Sequence, residues 1–186
     1  MPYEKGQFCN MVRTEGTVSS REVKSRLYEQ EGELKKLSST LLFVEARKRA
    51  GKLVKLAVDY GVYDVACTCY EVLLKYYQLY EPSGYWSSHY EEKLEKYENL
   101  RYEESKVRKF YHHIVRSAFD RNRTYTDKNR EASLSYLSEL KIMESRKDHG
   151  PYFYFKYYLY LTCHYDLFHD HISLSLIHIS EPTRPY

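Results

Sequence analysis

Apolar residues recur every three to four positions along most of the chain, which is the spacing of an amphipathic α-helix. The clearest stripe lies in residues 41–60, where Ala50, Leu53 and Ala57 step by three and four. Gly61 follows, at the position where a left-handed residue commonly ends a helix. The pattern predicts an all-α fold of antiparallel helix pairs, with five further helices over about 19–38, 63–80, 88–119, 127–149 and 151–168.

The boundaries of two of these helices rest on local signals. Ser88 and Glu91 have the spacing of a capping box, so the fourth helix is predicted to begin at Ser88. Neither Gly nor Pro occurs between Ser88 and Phe119, which predicts one long helix or two in tandem with a break near residues 99–104. The aromatic segment after Pro151 suits a strand by propensity, but its length and its lack of strict alternation favour a helix.

Composition agrees with a helical protein. Only 7 Gly and 5 Pro occur in 186 residues, which leaves few tight turns and disfavours β-sandwiches, barrels and glycine-rich ligand loops. The 29 Lys and Arg nearly balance the 26 Asp and Glu, for a net charge of +3. A nucleic-acid-binding domain usually has a clustered basic face and a higher pI, so nucleic acid is not the expected partner.

The four cysteines suggest neither a disulfide framework nor a metal site. Cys67 and Cys69 lie on different faces of a predicted helix, and no Cys-x-x-Cys pair occurs. The segment from Cys163 to His171 carries several metal-binding side chains, but at no established spacing. No apolar run is long enough to cross a bilayer. We therefore expect a cytoplasmic chain with reduced thiols, no membrane contact, no metal and no cofactor.

The last residues resemble a translated oligonucleotide. Leu174 to Arg184 match, without a gap, the translation of an adapter used in sequencing libraries. We therefore interpret 173–186 as a non-native tail, 1–18 as an irregular leader and 19–172 as an incomplete helical domain whose natural reading frame continues elsewhere.

One helix pair resembles a known repeat. Gly61-Val62-Tyr63-Asp64-Val65-Ala66 is similar to the inter-helix turn of tetratricopeptide repeats, and the resemblance covers about residues 47–80. The chain departs from that family at Val54, where a small residue usually packs, and at Gln78, where Pro is frequent. The resemblance implies an irregular right-handed superhelix of stacked helix pairs. It also implies a scaffold that binds a protein segment on a concave face.

Tyrosine is unusually frequent in this chain, with 22 residues. Its ring packs well while its hydroxyl stays hydrated, so it suits helix contacts and partner surfaces alike. Some of these tyrosines either fill space between helices or line a groove for a protein or peptide. The residues that we expect to bind a partner are Tyr90, Tyr97, Tyr111, Arg116, Tyr154 and Tyr158.

Two other classes of function stay open, and the sequence does not predict the oligomeric state. A regulatory or nucleic-acid-associated module, with its effector part outside this chain, would show a continuous basic face over Arg47, Arg49, Lys52 and Lys55. An enzyme would bring His112, His164 and His169 into one pocket. Because no nucleophile elbow, phosphate loop or paired-carboxylate motif occurs, the sequence predicts no catalytic residue.

Overall fold

The computed structural model describes residues 20–81, 84–119, 127–146 and 148–167. These residues are mostly helical, and no strand occurs among them. The all-α prediction is confirmed, including a helix where the aromatic segment after Pro151 has strand propensity. The helices are α1 (Ser20–Ser39), α2 (Phe43–Asp59), α3 (Tyr63–Tyr80), α4 (Tyr85–Phe119), α5 (Asp127–Ser145) and α6 (Pro151–Leu167).

The chain divides into two compact units, Met1–Leu94 and Glu95–Tyr186. The first unit holds α1, α2, α3 and the start of α4. The second holds the rest of α4 together with α5 and α6. The division falls inside α4, which is helical throughout, so the first of the two alternatives, one long helix without a break near residues 99–104, is observed.

In the first unit, α1, α2 and α3 pack against one another. Ala46, Ala50 and Ala57 of α2 are fully buried, and their small side chains let the neighbouring helix backbones come close. Glu31 of α1 is also buried; its carboxylate accepts a hydrogen bond from Thr68 Oγ1 at 2.7 Å and lies 2.6 Å from Lys35 Nζ. These partners compensate for the removal of a charge from water.

The turns after α1 and α2 each end a helix at a residue with positive φ. After α2, Gly61 has φ 63°, its N–H bonds to Val58 O at 3.0 Å, and Val62 N–H bonds to Ala57 O at 2.8 Å. This pair of bonds is the Schellman motif, so the predicted left-handed cap at Gly61 is confirmed. After α1, Leu42 N–H bonds to Leu37 O at 3.2 Å across Leu41, which has φ 60°.

Leu41 is therefore a branched residue in a backbone conformation that favours glycine. Leu41→Gly removes that strain. It loses little buried apolar surface, because the Leu41 side chain is 72 % exposed. We expect the variant to be more stable by about 1 kcal/mol, and Gly61→Ala to be less stable by a similar amount. Urea unfolding followed by circular dichroism measures both changes. A Leu41→Gly protein that is less stable than the wild type would contradict a strained left-handed conformation at Leu41.

The fourth helix starts earlier than predicted. Gly84 has φ 72° and its carbonyl accepts the N–H of Ser88 at 3.0 Å, so Ser88 lies inside α4. The capping box predicted at Ser88 and Glu91 is therefore wrong. Ring contacts of Tyr77 with Trp86 and Tyr90 show that the first turns of α4 pack against the end of α3.

In the second unit, one core joins all three helical segments. Phe110 of α4 stacks on Tyr136 of α5 with ring centroids 4.3 Å apart. An ion pair between Lys106 and Glu139 links the same two helices. The core consists of Val107, Phe110, Ile114, Leu137, Leu140, Met143, Phe153, Tyr157, Tyr160 and Leu161.

Two predicted segments lie outside the described residues, namely the leader 1–18 and the tail 173–186. Within the described part of the chain, no helix combines the length and the apolar content needed to span a bilayer.

Candidate functional site

An aromatic cluster in the first unit is formed by the end of α3 and the start of α4. Tyr77, Trp86 and Tyr90 have nearly parallel rings, inclined to one another by 23–30°. The ring centroid of Tyr77 lies 5.1 Å from that of Tyr90 and 5.8 Å from that of Trp86. Tyr76 extends the cluster, with an edge contact to Tyr77 at 5.3 Å.

Arg47 of α2 fixes the position of this aromatic cluster. Its Nε and Nη2 donate hydrogen bonds to the Tyr77 hydroxyl at 3.1 and 2.8 Å. The guanidinium carbon also lies 5.2 and 5.3 Å from the ring centroids of Tyr76 and Tyr77, within cation–π range. The hydrogen bond with Tyr77 raises the pKa of Arg47.

Part of the cluster faces solvent. Trp86 is 41 % exposed, and next to it Tyr85 is 70 % and Tyr80 is 54 % exposed. Tyr90 is half-buried, and this desolvation raises the pKa of its phenol. The result is a set of rings held by packing and hydrogen bonds on one side and open to water on the other. Large, rigid aromatic side chains of this kind are enriched at protein interfaces.

The six residues predicted to bind a partner are distributed over both units. Tyr90 belongs to the aromatic cluster of the first unit. The other five lie in the second unit, where Arg116 is exposed and the tyrosines are half-buried: Tyr97, Tyr111, Tyr154 and Tyr158.

Contacts within the second unit already engage several of these tyrosines. The Lys156 ammonium lies 4.1 Å from the ring centroid of Tyr111. Tyr154 and Tyr158 are four residues apart and so lie on one face of α6. Burial raises the pKa of Tyr154, with a smaller contribution from Tyr158. Within the unit, these tyrosines therefore serve at least partly as packing between helices.

Sequence reasoning missed Arg47, Tyr76, Tyr77 and Trp86 as members of a site. Arg47 looked like part of a solvated basic stretch, and Tyr77 like an ordinary core residue. A usable signal was present, because aromatic residues stand on both sides of the short turn around Pro82. Two helices joined by a tight turn bring their adjoining ends together.

The basic stretch of α2 does not form a continuous basic face. Arg47 is directed to the aromatic cluster. Arg49 pairs with Glu33 at 3.0 Å and with Glu45 at 3.2 Å. An open groove of about 390 Å³ lies beside Arg49 and carries both signs of charge, with lining residues Gln30, Glu33, Arg49, Lys52, Leu53 and Leu56. This surface lacks the uniform positive charge that a phosphate backbone requires.

A Ser–His pair occurs in the second unit. Ser133 Oγ lies 2.7 Å from His164 Nδ1 and 2.9 Å from the Tyr160 hydroxyl, which itself donates to Ser133 O at 2.8 Å. A serine beside an imidazole resembles an activated nucleophile. Ser133 and His164 are, however, only 1 % and 3 % exposed. This arrangement therefore satisfies buried polar groups between α5 and α6.

The described residues do not show the histidine pocket that an enzyme would require. His112 lies on the exposed side of α4, whereas His164 is buried. His169 lies outside the described residues, as do Cys9, Asp170 and His171.

Burial makes Cys69 and Cys163 poor nucleophiles. Burial raises the pKa of Cys69 to about 12, so its thiol stays protonated at physiological pH. Burial also raises the pKa of Cys163. Among the residues that the structure describes, no group of three or more His, Cys, Asp or Glu is placed to hold a metal ion.

Comparisons of the chain with protein-family models, with curated proteins and with solved structures found no match.

Proposed function

We propose that this protein is an interaction scaffold without a catalytic role, and that the aromatic cluster around Trp86 binds a segment of a partner protein. The observation that carries the proposal is the combination of fixed and exposed rings. Arg47 and Tyr77 hold the cluster from inside, so little conformational entropy is lost when a partner covers Trp86 and Tyr85. Interface energy concentrates on such aromatic anchors.

The helix pair α2–α3 supports a tetratricopeptide-like arrangement as part of this proposal. Leu53, Ala57 and Ala66, which occupy packing positions in the resemblance, are buried, and Gly61 makes the turn between the helices. In the proposed arrangement successive helix pairs stack into a right-handed superhelix, and the protein acts in the cytoplasm on a protein or peptide. The mixed charges around Arg49 argue against the nucleic-acid alternative.

Binding at the aromatic cluster can be followed by tryptophan fluorescence, because Trp86 is the single tryptophan of the chain. Affinity capture with the full chain, read by quantitative mass spectrometry, should identify proteins whose recovery falls about tenfold with Tyr85→Ala, as expected for loss of an aromatic anchor. Phe155→Ala is the matched control, since Phe155 is a comparably exposed aromatic residue of the second unit, at 59 %.

A captured protein is then purified and titrated against the wild type. Covering Trp86 should shift its fluorescence emission to shorter wavelength, with saturation at a defined stoichiometry. If Tyr85→Ala and Phe155→Ala change the recovery of every protein equally, or if binding leaves the Trp86 emission unchanged, the aromatic cluster is not the binding site.

A further inference from the structure

In the second unit, two opposite faces of α4 each carry residues that repeat every seven positions. One face is buried and includes Leu100, Val107 and Ile114, of which Val107 and Ile114 belong to the core shared with α5 and α6. The other face, here called the outer seam, steps by three and four residues along the helix. The outer seam consists of Glu95, Glu98, Tyr102, Ser105, Lys109 and His112. All six are exposed except Ser105, which is half-buried. Residues with this spacing form one stripe along a helix, as in the contact line of a coiled coil.

The charges of the outer seam are separated along its length. The glutamates come first, Tyr102 and Ser105 lie in the middle, and the basic residues come last. No acidic residue occurs between positions 105 and 119. Within the described part of the chain, neither Glu95 nor Lys109 forms an ion pair, and Glu98 has only a 4.0 Å approach to Arg101. The seam therefore has charges with little compensation inside the molecule.

When a second copy of the seam runs in the opposite direction, its basic end lies opposite the acidic end of the first copy. If two copies of α4 lie antiparallel about a two-fold axis between positions 103 and 104, the seam residues meet in three kinds of pair. Glu95 lies opposite His112, Glu98 opposite Lys109, and Tyr102 opposite Ser105. Each pair occurs twice, because a two-fold interface uses the same surface on both partners. The pairing also matches the alternation of contact positions that antiparallel coiled coils require.

We propose that the outer seam of α4 is a self-association surface, and that its partner is the same seam of a second copy in antiparallel orientation. Tyr102 is 58 % exposed and lies beside the axis, opposite the small Ser105. It can therefore supply the aromatic contact that interface centres favour. A nucleic acid fits less well, because Glu95 and Glu98 would repel its phosphates along half of the seam.

Sedimentation velocity of the full chain tests self-association directly. At low ionic strength the wild type should shift from monomer to dimer as its concentration is raised from about 5 to about 500 µM, the range in which an interface of micromolar to millimolar affinity populates both states. Salt at about 0.5 M should weaken the dimer, because it screens exposed charges. A wild type that stays monomeric over this range at low salt overturns the proposal.

Charge reversal tests the register. Lys109→Glu and Glu98→Lys each place like charges opposite one another, so each variant alone should raise the dimer dissociation constant about tenfold or more, since two pairs change sign. An equimolar mixture of the two variants should recover association, because positions 98 and 109 then carry opposite charges in both facing pairs. The double variant Glu98→Lys/Lys109→Glu should also dimerise.

Lys141→Glu is the matched control, since it makes the same change of charge at an exposed position of α5. It should associate like the wild type. If Lys109→Glu and Lys141→Glu weaken the dimer equally, or if mixing the two single variants restores nothing, the seam is not the interface. Circular dichroism of each variant confirms that the helices are retained.

Discussion

Phe153→Ala should lower the free energy of unfolding by about 3–5 kcal/mol, the usual cost of removing a buried aromatic side chain and leaving a cavity. Phe153 is fully buried in the second unit and stacks on His149 with ring centroids 3.7 Å apart. It also contacts Tyr157 one turn further along α6, at 6.1 Å. Urea unfolding followed by circular dichroism measures the loss.

Phe155→Ala is the control for this experiment and should change stability by less than about 0.5 kcal/mol. Phe155 lies two positions along the same helix and is 59 % exposed. The comparison also tests the secondary structure, because residues two apart share a face in a strand but lie on nearly opposite faces of a helix. Equal losses from the two variants would contradict a helix at residues 151–167.

Ser133→Ala should destabilise the protein by about 1–3 kcal/mol, although it removes a single oxygen atom. The Ser133 hydroxyl is the shared partner of His164 Nδ1 and the Tyr160 hydroxyl between α5 and α6. Without it, the imidazole nitrogen loses this hydrogen bond while it remains buried, and the penalty is the cost of desolvation. The same urea unfolding measurement checks the effect.

Ser138→Ala provides the comparison for Ser133→Ala. Ser138 lies on α5 as well, but it is exposed and bonds only to the Ser135 carbonyl of its own helix, at 2.7 Å. We expect a change within about 0.5 kcal/mol. Similar losses for the two alanine variants would mean that the buried hydrogen bonds contribute little to the packing of α5 on α6.

Helix positions were largely predictable because they depend on local periodicity and on a few helix-ending residues. The α2–α3 turn is the best case: Gly61 has a local conformational reason to be glycine, and the structure shows the predicted cap. The predicted start of α4 was wrong, although it also rested on a local signal. Ser88 and Glu91 have capping-box spacing, but Gly84 and the chain reversal before Tyr85 allow the helix to begin one turn earlier.

Burial was less predictable than helix position. Leu134 is in register with Leu137 and Leu140, yet it is 50 % exposed. Periodicity identifies a stripe of apolar positions, but how much of that stripe is covered depends on where the neighbouring helices end. The candidate site shows the same limit. Tyr90 was identified from its residue type, whereas the role of Arg47 depends on a hydrogen bond to a tyrosine thirty residues away.

The sequence by itself determined the helical class, the approximate bounds of α1–α6 and the turn at Gly61, because helix propensity, apolar spacing and left-handed caps act over a few residues. It also determined the order of charges along α4. Only the tertiary structure decided which charged and aromatic groups meet. Arg47 binds Tyr77, Ser133 binds His164, and the outer seam of α4 faces solvent, because these relations join residues that only the packing of whole helices brings together or keeps apart.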